Sequence, residues 1–292
     1  MWDEGTMRVY DFNLKHTFES AQPLAFYADY DAASRTLTFP FGCGIARVSC
    51  IGGGRVCDLS ASGISRRALR RLFRLYNEMR PIYRSIGTDD FMRKAIRAYY
   101  GMRLTLNDPW ITTVCFIISQ FNNLKRIRRI TKSLIATLGD PIDNGEAPQG
   151  AARAFPSGEA MMRAGKRALL RCGLGFRWRY MLGAAEFCTH NVDLRAYAGK
   201  GYAEVKSMLM EMNGVGEKVA DCIALMGFGK TEAFPVDVWV KRTMERVYFC
   251  GSKQSAASIR EFAALRFGRL AGYAQQYIYW YGRESGVGNG NN

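Results

Sequence analysis

Two side chains of this sequence could do chemistry together. Lys218 follows the glycine turn Gly214-Val215-Gly216 and lies at the start of a predicted helix that is apolar on most of its faces. The positive end of a helix dipole and apolar neighbours both disfavour an ammonium ion there, which favours a nucleophilic amine suited to Schiff-base chemistry. Asp237 follows Pro235 at the start of the next predicted helix. Together they indicate an amine that attacks a sugar carbon while a carboxylate offsets the developing positive charge.

Each of these residues also has a plainer interpretation. Asp237 alone is typical of a helix N-cap, and Lys218 alone of a phosphate contact. Gly214 and Gly216 predict a tight turn between the helical segments YAEVKSMLMEM and EKVADCIALMGFG. The amides after such a turn form an anion site that grips a nucleic-acid backbone without reading its sequence. An ordinary pair of helices joined by a glycine turn would look the same.

Composition narrows the classes of partner. The chain has 292 residues, a net charge of +15 and a pI near 9.6, which suggests a polyanionic partner such as a nucleic acid. A generically basic soluble protein would have the same charge, so charge alone does not decide between the two. The longest apolar run, ITTVCFIIS, is about half of the ~20 residues that cross a bilayer, so we expect no membrane partner. The first residues, MWDEGTMRVY, open with acids and lack a signal-peptide core, which predicts an intracellular protein.

The cysteine and histidine content predicts no metal and no cofactor. The eight cysteines include no C-x-x-C pair, and we expect reduced thiols because a chain of this length can bury its own core. His16 and His190 are the two histidines, too few for a histidine-rich zinc site. An iron–sulfur cluster would need four clustered cysteines, which the sequence lacks.

The patterning predicts an α+β protein with two parts. Up to residue 60, short aromatic and β-branched runs such as RVYDFNLKHTF, LAFYADYD and TLTFPF predict an antiparallel sheet. From Ser65 the apolar residues recur at helical spacing. We therefore predict an antiparallel β domain with a few helices over 1–105 and an all-helical domain over 106–292, with a disordered tail at 286–292.

The run NGVGEKVADCIALMGFGKTEAFPVDVWVKR resembles the helix-hairpin-helix, Gly/Pro…Asp motif of base-excision DNA glycosylases, the HhH-GPD superfamily. Within it, the chain is most similar to 8-oxoguanine DNA glycosylases of the eukaryotic type and their bacterial and archaeal relatives. The similarity extends over roughly residues 10–285 and includes NDPWITTVCFIISQFNNLKRI, LLRCGLGFRWRYM and LAGYAQQYIYW. It implies a monomeric glycosylase/AP lyase that flips 8-oxoguanine out of duplex DNA and excises it.

The resemblance also implies individual roles. Lys218 would attack C1′ of the deoxyribose, and Asp237 would stabilise the oxocarbenium-like transition state. Cys222 and Tyr279 would lie on opposite faces of the flipped base, and Gln275 would read its Watson–Crick edge. The implied base pocket consists of Ala21, Cys222, Gln275 and Tyr279.

The implied contacts to the DNA are Phe121, Asn122, Asn123, Arg126, Phe176, Arg177, Gly214 and Gly216. Phe176 stands where the family wedges a tyrosine into the base stack, and Arg126 and Arg177 match arginines that hold the estranged cytosine. Three departures from the family bear on recognition. Phe121 replaces an asparagine that contacts the estranged base, and Ala21 replaces a glycine whose carbonyl accepts the N7–H of the oxidised base. Trp239 stands where the family has a histidine near the DNA backbone.

Two alternatives stay open at this point. The first is a helix-hairpin-helix module that binds DNA without catalysis, and the second is a glycosylase for another damaged base. Lys218 and Asp237 together favour the enzyme, because a binding module has no need of a desolvated lysine. The lack of clustered cysteines disfavours the iron–sulfur glycosylases, and the lysine disfavours those that act on alkylated bases.

Overall fold

A computed structural model describes residues 6–142 and 152–289. Its N-terminal part is built on an antiparallel sheet in the strand order β1-β4-β3-β2. The strands are β1 (Met7–Phe12), β2 (Asp29–Asp31), β3 (Thr36–Phe41) and β4 (Gly44–Ser62). β4 doubles back at three glycines with positive φ, residues 52–54, so that its first half pairs with β3 and its second half with β1. The predicted antiparallel sheet is therefore confirmed.

Two segments that the sequence analysis assigned to strands are helical. α1 (Leu14–Glu19) begins after Asn13, whose side chain accepts an amide of the first turn, and α2 (Pro23–Tyr27) begins on its proline. The aromatic residues that suggested strands pack from these short helices into the core, as Phe26 does against Phe116 at 6.3 Å between ring centroids. Capping and the fixed φ of proline outweigh β propensity at these positions.

The prediction of reduced thiols is wrong for one pair of cysteines. Cys50 and Cys57 form a disulfide across the two halves of β4, where the hairpin brings their Cα atoms to 6.2 Å. The sequence spacing gave no sign of this, because the pairing depends on where β4 turns. The other six cysteines are free.

Twelve further helices follow within the described residues, which confirms the predicted α+β class. They are α3 (Arg66–Leu72), α4 (Met79–Ile86), α5 (Asp90–Ala98), α6 (Pro109–Ser119), α7 (Leu124–Leu138), α8 (Gly158–Arg171), α9 (Trp178–Glu186), α10 (Tyr202–Met210), α11 (Glu217–Met226), α12 (Val238–Tyr248), α13 (Ala256–Phe267) and α14 (Ala271–Glu284). A two-residue ladder pairs β5 (Pro141–Ile142) with β6 (Ala152–Arg153). None of the helices within 6–142 and 152–289 is long and apolar enough to cross a membrane.

A turn follows α14. The amide of Gly288 donates to the carbonyl of Gly282 at 2.7 Å, and Asn289 donates to Gly286 at 3.0 Å. The disordered tail over 286–292 stays a prediction. Residues 290–292 lie outside the described residues.

The two predicted domains are joined by buried and partly buried hydrogen bonds. Arg74 donates to the carbonyl of Leu225 in α11 at 3.0 Å, and Asn77 donates to the hydroxyl of Tyr273 in α14 at 2.6 Å. From α14, Gln276 donates to the carbonyl of Ser20 at 2.7 Å. The N-terminal part therefore helps to place α11 and α14. The boundary near residue 105 stays a prediction.

Arg103 links two segments of the N-terminal part by hydrogen bonds. Its buried guanidinium donates to the carbonyls of Tyr10 and Asn77 at 2.7 Å, of Asp11 at 3.0 Å and of Arg74 at 3.1 Å. One cation thus satisfies carbonyls from β1 and from the turn between α3 and α4.

We expect Arg103→Met to lower the free energy of unfolding by about 3 kcal/mol, because it leaves several buried carbonyls without donors. Urea denaturation would show a lower midpoint at unchanged slope. Arg8→Met, which removes an exposed pair with Asp58, is the matched control and should leave the midpoint where it is. Equal midpoints for wild type and Arg103→Met would contradict the proposed role.

Candidate active site

The turn between α10 and α11 has the geometry that the glycines predicted. Gly214 adopts φ +83°, and an ideal Cβ there would overlap the ring of Tyr180. Gly216 is the N-cap of α11 with extended backbone and open space around its Cα. The first amides of α11 have no partner within the helix, as at any helix start. An anion could therefore approach them from the exposed side of Gly216.

Lys218 is the second residue of α11 and is half-buried. Its Nζ lies 5.5 Å from the ring centroid of Phe116, a buried residue of α6. From Val219 to Met226 every residue of α11 is buried, which fixes the helix that carries the lysine. The lysine is thus directed along an aromatic face instead of into open solvent, as the sequence indicated.

Asp237 caps a helix and also interacts electrostatically with Lys218. It is the N-cap of α12, and its Oδ1 accepts the amide of Val240 at 2.8 Å. Burial raises the pKa of the Asp237 carboxyl above its ordinary value, while the charge of Lys218 is the largest opposing influence. The cap therefore fixes the carboxylate where it interacts with the lysine, although the two come from different helices.

Two pocket residues interact electrostatically with this pair. Burial raises the pKa of the Cys222 thiol to about 11, with Lys218 lowering it and Asp237 raising it. Burial also raises the pKa of Tyr279 to about 12, and Asp237 adds to the rise. Such effects act over short range in a screened protein, so the structure brings Cys222 and Tyr279 to the Lys218–Asp237 pair. Both side chains are neutral at physiological pH.

Gln275 lies in α14 and is 5% exposed. Its Nε2 donates to the carbonyl of Pro235 at 3.1 Å, which fixes the orientation of the amide. Its buried Oε1 has no partner. An unsatisfied buried acceptor costs about 1–3 kcal/mol, and a ligand that donates a hydrogen bond would remove that cost.

Ala21 adopts the left-handed conformation with φ +58°. This region favours glycine, which accounts physically for the glycine found in the similar family. The flanking residues are held from both sides. Gln276 donates to the carbonyl of Ser20, and Gln22 exchanges hydrogen bonds with Thr105 and the carbonyl of Arg103. The segment around Ala21 is therefore rigid despite its strain.

The predicted DNA contacts on the α6–α7 turn are mostly exposed. Phe121 adopts φ +47° with its side chain 91% exposed. Asn123 is the N-cap of α7 and accepts the amide of Arg126 at 2.9 Å, while Asn122 donates to Ile118 at 3.1 Å. The Arg126 side chain points away from the core and is exposed. These amides therefore already shape the turn.

Phe176 faces Phe121 across this surface. It is 51% exposed, and the two ring centroids are 6.3 Å apart. The structure thus brings together the two aromatic residues that the sequence analysis took from different segments.

Arg177 is placed differently from the expectation that it holds an estranged base. It is 2% exposed, and its guanidinium donates to main-chain carbonyls at Gln120, Phe121 and Leu174. The carbonyls at the end of α6 carry partial negative charge, which attracts a cation. In this structure its N–H groups point to the α6–α7 turn and to Leu174, and away from the surface.

The sequence analysis missed a buried network behind the lysine. Asp221 is completely buried, and its Oδ1 accepts from the Tyr202 hydroxyl at 2.5 Å and from Lys206 at 3.0 Å. The network ties α10 to α11 across the glycine turn. Burial raises the pKa of Asp221, and the hydrogen bonds from Tyr202 and Lys206 act against that rise. An acid inside an otherwise apolar helix was the signal that could have revealed it.

Within 6–142 and 152–289 no group of three or more histidine, cysteine or acidic side chains is arranged to hold a metal ion. What the arrangement offers chemically is an amine, a carboxylate, a neutral thiol and an amide, all provided by α11, α12 and α14.

Comparison with known proteins agrees with this geometry. The profile of the HhH-GPD superfamily of base excision DNA repair proteins matches residues 114–267. That span is more than half of the chain, and the chain therefore belongs to this superfamily. The match includes the glycine turn, Lys218 and Asp237.

Curated relatives cover less of the chain. A probable N-glycosylase/DNA lyase of Methanothermobacter thermautotrophicus is 41% identical over 119 residues, which are 41% of this chain and 38% of the relative. The N-glycosylase/DNA lyase of Saccharomyces cerevisiae is 31% identical over 192 residues, 62% of this chain and 50% of the relative. The chain thus spans half or less of the length of these two relatives.

Solved structures match nearly the whole chain. MBOgg1 in complex with a low-affinity DNA ligand superposes with a TM-score of 0.87 at 30% identity over 96% of both chains. The 8-oxoguanine glycosylase/lyase of Clostridium acetobutylicum, bound to duplex DNA with cytosine opposite the lesion, gives 0.86 at 25% identity over 98% of both chains. The α+β fold, with its N-terminal sheet and helical domain, is shared with these proteins.

We expect Gly214→Ala to lower the free energy of unfolding by about 2–5 kcal/mol. The left-handed backbone costs a residue with a Cβ about 1–2 kcal/mol, and overlap with Tyr180 adds about 1–3 kcal/mol. Gly216→Ala is the matched control in the same turn, where the new methyl meets open space, and should cost about 1 kcal/mol or less. Thermal or urea unfolding measures both, and equal losses would contradict the geometry of the turn.

We expect the Asp237 carboxyl to titrate above its ordinary value of 3.8. Lys218→Met should raise its pKa further, because the lysine is the main influence that lowers it. The sign for stability follows: a raised pKa means that the folded protein binds the proton more tightly, so the carboxylate costs stability above that pKa and the cost disappears as the pH falls through it.

Carboxyl ¹³C chemical shifts followed against pH measure this titration. Asp31, whose pKa is lowered by hydrogen bonds from Ser34 and Ala33, is the internal control and should not respond to Lys218→Met. An unchanged Asp237 titration in the variant would mean that the two groups do not interact.

Proposed function

We propose that this protein is a bifunctional DNA glycosylase/AP lyase that excises 8-oxoguanine from duplex DNA. The observation that carries the proposal is the electrostatic interaction between Lys218 and Asp237, which come from two helices, together with the influence of both groups on Cys222 and of Asp237 on Tyr279. Gln275, which donates to the carbonyl of Pro235, adds a buried amide near Asp237. Membership of a base excision repair superfamily and relatives named N-glycosylase/DNA lyase support the same reaction class.

The proposed reaction uses the amine of Lys218 as the nucleophile at C1′. The C1′–N9 bond breaks, and the base leaves with the bonding electron pair and takes up a proton. Opening of the sugar ring gives a Schiff base between Nζ and C1′, and loss of a C2′ proton then expels the 3′ phosphate by β-elimination. The carboxylate of Asp237 would offset the positive charge that develops on the sugar, which is the largest kind of contribution in such reactions.

The pocket would recognise the flipped base by shape and by a few polar groups. Cys222 and Tyr279 are neutral, so they can cover the two faces of a purine without an unpaired charge. The free Oε1 of Gln275 can accept an N–H from the Watson–Crick edge, and the carbonyl of Ala21 can accept the N7–H that only the oxidised base carries. Base flipping is required because these groups cannot reach the base inside a duplex.

The duplex would be held mainly through its phosphates. The glycine turn and the start of α11 offer amides to one phosphate, and the net charge of +15 favours a polyanion. We propose that the protein acts as a monomer on double-stranded DNA that contains oxidised guanine. The alternatives, a module that binds without catalysis and a glycosylase for another base, fail or succeed in the experiments that follow.

We expect Lys218→Gln to bind DNA but to lose excision of 8-oxoguanine and the covalent adduct that borohydride traps. The amide keeps the size of the side chain and removes the nucleophile, while the glycine turn and basic surface remain. Incubation with an 8-oxoguanine duplex under borohydride, followed by a denaturing gel, measures the adduct. Duplex binding is titrated in parallel.

Lys253→Gln is the matched control, because this lysine is 87% exposed and lies outside the site. It should trap like wild type. A Lys218→Gln variant that still formed the adduct would remove Lys218 from its role. Wild-type binding without excision of any base would favour the binding module instead.

We expect the base opposite the lesion to be discriminated only weakly. Phe121 offers a phenyl ring where the similar family has an asparagine that contacts cytosine. A ring can stack in the gap left by the flipped base but donates no hydrogen bond, and a lost contact is worth ~1–3 kcal/mol. We expect 8-oxoguanine opposite adenine, guanine or thymine to be cleaved within about a hundredfold of the cytosine pair, since ~2.7 kcal/mol corresponds to that factor.

Phe121→Asn should widen that gap. Single-turnover cleavage of four duplexes that differ only in the opposite base measures the preference. Phe121→Leu, which keeps an apolar side chain without a donor, is the control and should keep the narrow preference. Strict dependence on cytosine in wild type, unchanged in Phe121→Asn, would show that Phe121 does not face the estranged base.

A further inference from the structure

Phe121 is held in a conformation that it would not adopt alone. A residue with a Cβ at φ +47° is strained by the order of 1–3 kcal/mol, and a phenyl side chain that is 91% exposed gains little from burial. Strain of this kind persists only where the surroundings over-determine the backbone. The question is which group fixes the turn after α6.

Arg177 supplies that constraint. Its Nε donates to the carbonyl of Gln120 at 2.8 Å, and Nη2 donates to the same carbonyl and to that of Phe121 at 3.0 Å. Nη1 donates to the carbonyl of Leu174 at 3.3 Å. A guanidinium is planar with its donors in a fixed fork, so it sets the relative orientation of the peptide groups on either side of the strained residue.

The same guanidinium also contacts the second exposed ring. It stacks on Phe176 with 4.5 Å from Cζ to the ring centroid, and Phe176 in turn lies 6.3 Å from Phe121. Behind Phe176, Tyr180 lies 6.1 Å away and packs on Gly214 of the glycine turn. The buried guanidinium of Arg177 therefore fixes both rings and links them, through Tyr180, to the glycine turn that leads into α11.

We infer that Arg177 is a positioning residue that holds Phe121 and Phe176 as a preformed two-ring wedge, and that it does not read the estranged base. The inference rests on the proposed function, because a wedge needs a duplex to enter. It differs from the expectation drawn from the resemblance, in which Arg177 holds cytosine. Of the two matched arginines, the exposed Arg126 is then the one left to contact the opposite base.

The two possible roles of Arg177 predict different effects on the rates of cleavage opposite the four bases. A residue that reads cytosine acts on the cytosine pair alone. A residue that holds an apolar wedge acts on every duplex, because the wedge must enter whichever base is opposite. Loss of Arg177 should therefore slow cleavage opposite all four bases by a similar factor and weaken insertion even where no base is excised.

The test compares Arg177→Met with Arg179→Met in an otherwise unchanged protein. Methionine fills the space of the arginine stem and removes every donor. Arg179 is the matched control, since it is exposed two residues further on and stacks on Trp178 instead. Single-turnover cleavage is measured opposite each of the four bases. Wedge insertion is measured by the fluorescence of 2-aminopurine placed opposite a tetrahydrofuran abasic analogue, which requires binding but no excision.

For Arg177→Met we expect all four rates to fall at least tenfold, with their ratios changed less than twofold, and the 2-aminopurine signal to be reduced. Arg179→Met should keep the wild-type ratios and signal. The double variant Arg177→Met/Phe121→Gly should cleave no more slowly than the slower of the two single variants, because both substitutions remove the same wedge. A loss confined to the cytosine duplex, with a normal 2-aminopurine signal, would overturn the inference.

A measurement on the wild-type protein covers the case in which Arg177→Met fails to fold. The ¹⁵N–¹H signal of Arg177 Nε should be protected in the free protein and have the same shift in abasic complexes with cytosine or adenine opposite. A shift specific to cytosine would show that Arg177 contacts the base. If wild type excised nothing, the proposed function would fail, whereas the fluorescence and the Nε signal would still decide the role of Arg177.

Discussion

The charge interaction between Lys218 and Asp237 is the constraint on which the rest of the site depends. The two groups come from the first turns of α11 and α12, and burial alone would push the Asp237 carboxyl towards its neutral form. The lysine opposes that effect, and two amides at the start of α12 do so as well. These influences act against the desolvation of the carboxylate, and in a partly desolvated position the effect of a carboxylate on a developing positive charge is larger than in water.

The two helices hold this pair only if each is fixed at its own N-terminus. For α11 that task falls to the glycine turn, where Tyr180 occupies the space that a side chain at 214 would need, and to the buried Asp221 with Tyr202 and Lys206. For α12 the carboxylate is its own cap. A side chain that caps a helix has a restricted orientation. The same hydrogen bond that stabilises α12 therefore also orients the Asp237 carboxylate.

The sequence was sufficient for the fold class and for placing Lys218 and Asp237 at the starts of two successive helices, and the reason is that the signals are local. The glycine turn, the apolar helix behind Lys218 and the cap at Asp237 are each encoded within a few residues. Features that depend on distant partners were not accessible. The disulfide of Cys50 and Cys57, for example, depends on where β4 turns. The helices α1 and α2 were taken for strands for a different reason, because the local signals at Asn13 and Pro23 outweigh the β propensity of their aromatic residues.

Arg177 illustrates the same limit within the site. Its position in the sequence matches a base-contacting arginine, yet its environment is set by carbonyls some 50 residues earlier, at Gln120 and Phe121. The role of an arginine depends on whether hydrogen-bond acceptors nearby lack other donors. The strained turn after α6 offers two such main-chain carbonyls, those of Gln120 and Phe121.

Buried arginines that bind main-chain carbonyls recur in this protein and suggest how its parts stay in register. Arg103 joins β1 to the turn after α3, Arg74 reaches the carbonyl of Leu225 in α11, and Arg177 holds the turn after α6. A carbonyl carries no full charge, so each guanidinium keeps its own charge while it gains directional hydrogen bonds. In a chain with a net charge of +15, this arrangement separates two uses of arginine. Buried guanidinium groups fix the backbone, and exposed ones such as Arg126 remain available to a ligand.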